Sequence, residues 1–209
     1  MDKNSNAVAV FDKLAVLYQS KFMDVSLYGK TLNLFCEFVG TKGTSILELA
    51  CGPGNITKYL LDQNPEYKIL GTDLAPKMIE LAKENNPTAG FQVMDCRDLS
   101  VVDQKFDAII CGFCLPYLSK EETVKMIADA ALVLNEKGLL YLSTMEDDYE
   151  KSGFKTGSSG DSVFQHFYTL DFLEAVLIKN RFEVVHFERI VSATENETVT
   201  DLVVIAKMI

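Results

Sequence analysis

The sequence predicts an α/β domain in which a mostly parallel, seven-stranded sheet is covered by helices on both faces. Three observations carry that expectation. Short apolar runs at 45–49, 67–71, 90–94, 106–111 and 138–144 alternate with stretches of helical period. Runs that are apolar throughout suit strands buried on both faces, as in a parallel sheet. Two further strand-like runs, 182–191 and 199–206, are joined only by the polar link SATENET, which predicts an antiparallel hairpin closing the sheet edge.

Taken in order, residues 1–42 read as an N-terminal helical cap. Val8, Phe11, Leu14, Ala15 and Tyr18 recur at helical spacing, and Tyr28, Leu32, Phe35, Cys36 and Val39 do so again. Gly40 and Gly43, with the Thr-Lys-Gly-Thr segment, end the pattern. The first strand then runs into a glycine turn, ELACGPGN, from Glu48 to Asn55. The crossover at 96–105 is short and weakly periodic, so no full helix is expected there, whereas one should begin near Ser119. Residues 145–165 are polar, Gly- and Ser-rich and without period, and 145–168 is read as a substrate-side loop. A helix over 170–179, ended by Asn180-Arg181, leads into the hairpin.

Composition limits the function. With 209 residues, 48% hydrophobic and 24% charged, residues 1–209 read as one globular domain with a good core. The formal net charge is −10 and no cluster of Lys or Arg exists, which argues against a nucleic-acid partner. The N-terminal residues mix acids and amides with apolar side chains, unlike a signal peptide, and no run approaches a transmembrane span. A cytoplasmic location without a membrane partner is the expectation. Five cysteines, an odd number, suit free thiols in a reducing compartment.

The glycine turn asks for a ligand that approaches backbone closely. A dinucleotide fingerprint needs G-x-G-x-x-G, but aligned on Ala50 and Gly52 its last position is Asn55, and aligned on Gly52 and Gly54 it is Thr57. A phosphate loop needs Gly-Lys-Ser/Thr, and Gly54 is followed by Asn55-Ile56-Thr57. Asp73 ends the second strand about twenty residues further on, where a carboxylate accepts both ribose hydroxyls of an adenosine.

The stretch ILELACGPGN resembles the first motif of the class I S-adenosylmethionine-dependent methyltransferases, an acidic residue followed by Gly-x-Gly-x-Gly. Glu48 takes the acidic place, Ala50 replaces the first glycine, and Gly52 and Gly54 fill the others. The second strand end continues as Leu74-Ala75-Pro76-Lys77-Met78, similar to the family's D-x-S-x-x-M, and the third ends FQVMDCRDL, similar to its x-x-D-A/C-x-x-L. The resemblance implies a Rossmann-like doubly wound fold and S-adenosylmethionine as cofactor, with no metal. Glu48 would serve the ammonium group, directly or by ordering the turn. Ala50, Cys51, Gly52 and Gly54 would bring backbone to the ligand, Leu74 and Met78 would pack on the adenine, Asp95 would accept from its amino group, and the Cys96 amide would donate to the ring.

Cys111-Gly-Phe-Cys114 has the spacing of a redox pair, but no helix N-terminus follows directly, and a zinc site would want more ligands than His166 and His186 supply. The resemblance makes this the fourth strand end, with Cys111, Gly112 and Phe113 at the methyl-transfer site. The acceptor wall is expected from Tyr18, Phe22, Met23 and Tyr28, from Tyr117, from Met145 and Glu146, and from His166 and Tyr168. His166 is the candidate general base. The reading is methyl transfer to a small-molecule acceptor by in-line displacement, with a homodimer left open. A nicotinamide-dependent oxidoreductase and a non-catalytic adenosyl-binding protein are the alternatives.

Overall fold

A computed structural model describes residues 3–40, 43–157, 159–193 and 198–209. The middle of the SATENET link and part of the Thr-Lys-Gly-Thr segment lie outside the described residues. The strands of the main sheet are β1 (Ser45–Leu49), β2 (Lys68–Asp73), β3 (Gly90–Val93), β4 (Phe106–Gly112) and β5 (Leu134–Met145), followed by β8 (Phe182–Ala193) and β9 (Thr198–Met208). A separate two-stranded hairpin is formed by β6 (Gly153–Thr156) and β7 (Ser162–Gln165). The helices are α1 (Lys3–Phe22), α2 (Gly29–Val39), α3 (Asn55–Gln63), α4 (Pro76–Asn85), α5 (Lys120–Val133) and α6 (Leu170–Lys179).

The seven strands lie in the order β3-β2-β1-β4-β5-β9-β8. Pairings from β3 through β5 are parallel, and β9 runs antiparallel to both β5 and β8. The order turns back at β1, so β1 and β4 leave their C-terminal ends side by side at the switch point where such sheets take ligands.

Alternation along the strands divides the core. Leu47, Leu49, Ile109, Leu140, Leu142 and Val204 face α5 and α6 through Met126, Ile127, Leu173 and Leu177. Ile46, Ile69, Ile110, Tyr141 and Ile205 face the other way, onto Leu32 and Phe35 of α2 and Leu60 of α3. Ser119 starts α5 with a capping box to Glu122, and Thr169 caps α6 through the Phe172 amide. Only a short 3-10 turn, Leu99–Val101, fills the third crossover, as its weak periodicity predicts.

The first forty residues divide between two places. Whereas α2 packs on the sheet, α1 lies across the strand ends between α4 and β7. It is held there by Asn6 Nδ2 donating to the Ser162 carbonyl at 2.9 Å, Lys13 pairing with Asp161 at 2.9 Å, and the Lys77 amide donating to Asp12 at 2.8 Å. The segment expected to be a loop without structure holds the β6–β7 hairpin instead. Phe154 packs edge-on to Phe164, and the Lys3 ammonium sits 3.4 Å from the centre of the Phe164 ring. The hairpin is an extension of what α1 rests on, so it carries no buried apolar stripe of its own.

Candidate active site

Beneath α1, at the ends of β1, β2 and β4, lies a cavity of about 120 Å³. The turn after β1 supplies Ala50 and Gly52, the turn after β2 supplies Asp73, Leu74 and Met78, the segment after β3 supplies Asp95 and Cys96, and the end of β4 supplies Phe113. Tyr18 and Tyr117 complete the wall among the residues singled out in the sequence. With Gly112, also at the end of β4, the structure thus brings eleven of them together.

Asp73 organises the floor. Its Oδ2 accepts from the Gly52 amide at 2.9 Å and its Oδ1 from the Ala75 amide at 2.8 Å, which ties the glycine turn to the start of α4. Burial pushes its carboxyl up, and the same backbone donors oppose that shift. Asp95 is held by Arg97, whose Nη2 lies 2.7 Å from Oδ2 and whose Nη1 reaches Glu122 at 2.9 Å. Burial again raises the carboxyl, but the hydrogen bonds and charge of Arg97 outweigh it, so Asp95 stays below its usual range. Ala50 and Phe113 both sit at positive φ, 52° and 53°, a conformation that is uncommon outside glycine and gathers at functional sites. Phe113 is fixed in it by its amide, which donates to Ser143 Oγ at 3.0 Å, and by the Tyr28 ring at 5.2 Å.

The remaining expected site residues stand elsewhere, each for a packing reason. Glu48 shares the face of Ile46, so its carboxyl points under the turn and accepts from the Thr57 hydroxyl of α3. It is 1% exposed, and burial pushes its carboxyl from 4.5 up to about 8. The folded form therefore holds this proton to higher pH than the unfolded chain, so stability is full below about pH 4.5 and is lost as pH rises towards about 8. Glu48→Gln keeps the acceptor for Thr57 and removes the titration. Its urea midpoint at pH 8.5 is expected to exceed that of the native chain, and the advantage should shrink to nothing by pH 5.

Cys51 packs behind the turn on Ile79, Ala82 and Phe91, and Gly54 packs on Asn86 and Ala82 of the α4 end. Cys111 alternates onto the α5–α6 face and is fully buried there, leaving the cavity wall to Gly112, Phe113 and Cys114. Phe22 is half exposed beside Tyr18, and the Tyr28 hydroxyl donates to Asp201 at 2.7 Å. Met145 lines a separate cavity with Glu146 and Lys155. Tyr168 is a core residue whose hydroxyl accepts from Thr123 at 3.1 Å and donates to the Leu118 carbonyl.

His166, the base candidate, is also outside the cavity. Its ring lies between Tyr149 at 5.5 Å and Phe164 at 4.8 Å, and its amide donates to the Pro116 carbonyl at 2.7 Å. Burial and nearby Lys3 lower its imidazole. His166→Phe is accordingly expected to keep turnover within about twofold in a methyl-transfer assay, while His166→Ala lowers the melting temperature by opening the aromatic stack.

Sequence reasoning missed Asn4, Ala7, Val8 and Phe11 as cavity wall, together with Cys114. A signal was there: 4, 7, 8, 11 and 18 recur on one helical face, so the face that looked like core is the face over the cavity. Asn4 Nδ2 donates to the Tyr117 carbonyl at 3.3 Å, and its Oδ1 is buried without a partner. Among the described residues no cluster of ligands suits a metal ion, and no helix is long and apolar enough to cross a membrane.

Residues 46–138 match the family model described as a methyltransferase domain. The chain is 29% identical over 143 residues to a demethylmenaquinone methyltransferase of Thermotoga maritima, covering 66% of this chain and 60% of that protein. It is 34% identical over 105 residues to a malonyl-[acyl-carrier protein] O-methyltransferase of Anoxybacillus flavithermus, covering 49% and 39%. The chain therefore spans about two to three fifths of the length of these curated relatives. Among solved structures, the magnesium protoporphyrin IX methyltransferase of Synechocystis PCC 6803 with bound S-adenosylmethionine superposes with a TM-score of 0.74 at 15% identity, covering 100% of this chain and 98% of that one. The matched segment runs from β1 into β5 and contains every strand end that frames the cavity, so the likeness to a methyltransferase domain falls on the part of the chain that builds the site.

Proposed function

We propose that this chain transfers a methyl group from S-adenosylmethionine to the neutral nitrogen of a small-molecule amine. The observation that carries the reading is the cavity at the switch point, walled by the very strand-end segments whose motifs resemble the family's. The residues present fit the cofactor. Gly52 at φ +54° lets backbone approach without a side chain, Asp73 offers a carboxylate beside it, and the orphaned Asn4 Oδ1 is an acceptor awaiting a donor. When bound, the cofactor supplies a methyl group on a sulfonium, ready for in-line displacement.

What the chain contributes is position, enclosure and charge. Helix α1 covers the cavity and keeps water from the reacting centre. Asp73 and Asp95 make the surround acidic, which suits a cationic donor and opposes an anionic acceptor. Among the described residues that line the cavity there is no Lys, Arg or His, so a carboxylate or phosphate would find no counter-charge. The tyrosines offer no base at neutral pH, since burial pushes Tyr117 up to about 12 and Tyr18 higher still, and the carboxylates of Asp73 and Asp95 are already engaged by backbone amides and by Arg97. A weakly basic amine nitrogen, such as an aromatic one, is unprotonated at neutral pH and offers its lone pair without a base.

Two assays test this. Calorimetry with S-adenosylmethionine, S-adenosylhomocysteine and NAD is expected to show micromolar binding of both adenosyl ligands and none of NAD. Labelled methyl transfer to size-matched amines, phenols and carboxylic acids should then favour the amines at least tenfold. Binding of NAD alone would overturn the cofactor, and faster labelling of acids or phenols would overturn the acceptor class.

A further inference from the structure

The fold gives Cys114 a second partner besides the one its spacing indicates. Cys111 and Cys114 both pack in the core between the sheet and α5, their thiols within reach of one another, and Cys114 Sγ also lies 3.3 Å from Cys96 Sγ, eighteen positions earlier in the chain. Both sulfurs belong to residues of the cavity wall, one on the segment after β3 and one on the segment after β4. Cys114 is only 5% exposed, whereas Cys96 is half-buried, so a small solute in the cavity reaches Cys96 first. An approach of about 1.2 Å would bring the sulfurs to disulfide distance.

We propose that Cys96 and Cys114 form a dithiol oxidation site in the cavity wall, taking a peroxide as oxidant and closing a disulfide that restrains entry to the cavity. The Cys96 sulfur attacks one peroxide oxygen, the O–O bond breaks, and a sulfenic acid and one water result. The Cys114 sulfur then attacks the Cys96 sulfur, the S–O bond breaks, and the Cys114 proton leaves with the hydroxyl as a second water. Two thiols have lost two electrons and one peroxide has gained them. The first step is slow, because the contact with Cys114, burial, and the carboxylates of Asp95 and Asp73 keep the Cys96 thiol protonated. The second is fast, because the attacking sulfur is already in contact.

The consequence for binding rests on the reading that the cavity takes the adenosyl cofactor. Its free space of about 120 Å³ is well below the roughly 300–1,000 Å³ of sites that hold a ligand of that size, so its walls must part on entry. A covalent link between the β3 and β4 segments ties two of those walls together.

The test is hydrogen peroxide treatment of the purified chain, alkylation of remaining thiols, and mass analysis of peptides without reduction. The expected product is a Cys96–Cys114 linked peptide, formed at least tenfold more slowly when S-adenosylhomocysteine is present. It should also form in Cys111→Ser, whereas Cys114→Ser should take Cys96 to sulfinic acid with no link. The oxidised chain is expected to bind S-adenosylhomocysteine at least tenfold more weakly, with recovery on dithiothreitol. No link, or a Cys111–Cys114 link, overturns the site, and a link that leaves affinity unchanged overturns its effect on entry. If the reduced chain binds no adenosyl ligand, the cofactor reading fails while the linked peptide still decides the oxidation site.

Discussion

Asp73→Ala is expected to weaken S-adenosylhomocysteine binding at least about a hundredfold, roughly 2.7 kcal/mol, in titration calorimetry. Two losses combine in it. The carboxylate is removed from the cavity wall, and the Gly52 and Ala75 amides lose their acceptors, so the glycine turn and the start of α4 are no longer held to one another. Asp73→Asn separates the two. An asparagine oxygen can still accept one of the amides, but its NH₂ would face the other donor, so the turn is disturbed at one point while the charge is lost outright. If charge dominates, Asn should behave like Ala; if order of the turn dominates, Asn should fall between Ala and the native residue. Affinity within about threefold of native in Asp73→Ala would remove Asp73 from the cofactor site.

Gly54→Ala should be the most damaging single methyl group in the chain. The residue has φ +78°, and an added Cβ would stand 2.4 Å from Asn86 Nδ2 and 3.3 Å from the Ala82 Cα. Asn86 cannot simply swing away, because its Nδ2 donates to the Gly54 carbonyl at 2.9 Å and to the Ala82 carbonyl at 3.3 Å, in a buried place. Positive φ with a side chain costs about 1 kcal/mol, and overpacking adds about 1–3, so a loss of roughly 2–4 kcal/mol is expected in urea unfolding. Asn86→Ala in the same background should recover only part, since it relieves the clash and gives up the bonds. A loss below about 1 kcal/mol for Gly54→Ala would mean that the turn and the α4 end are not packed as tightly as described.

Legibility in the sequence followed how local the cause was. The strand at 45–49 and the helix at 170–179 stand where periodicity places them, because an apolar run before a glycine turn and a Thr169 cap before an apolar stripe are local signals. The β6–β7 hairpin was not legible, since its aromatic residues answer to α1 and Lys3, far away in the chain. The same distinction holds in the cavity. Asp73 and Asp95 follow from strand ends, which locate backbone. The place of Glu48 depends on which side of β1 its position faces, and the neighbouring Thr57 decides its partner. Likewise, the spacing pairs Cys114 with Cys111, but only the fold brings Cys96, eighteen positions earlier, to within 3.3 Å of the Cys114 sulfur.

The position of β9 between β5 and β8 bears on how the chain is made. Pairings from β3 to β5 can be completed as those strands leave the ribosome. The free edge of β5 carries Leu140 and Leu142 on one side and Tyr141 on the other, and it must wait for residues 198–208 before it is covered. At a synthesis rate of about 5–20 residues per second that edge stays open for several seconds, with β8 already translated but unable to take its own place without β9. Nascent chains arrested just before residue 198 should therefore recruit chaperones and aggregate on release, whereas those arrested with 198–208 outside the exit tunnel should not.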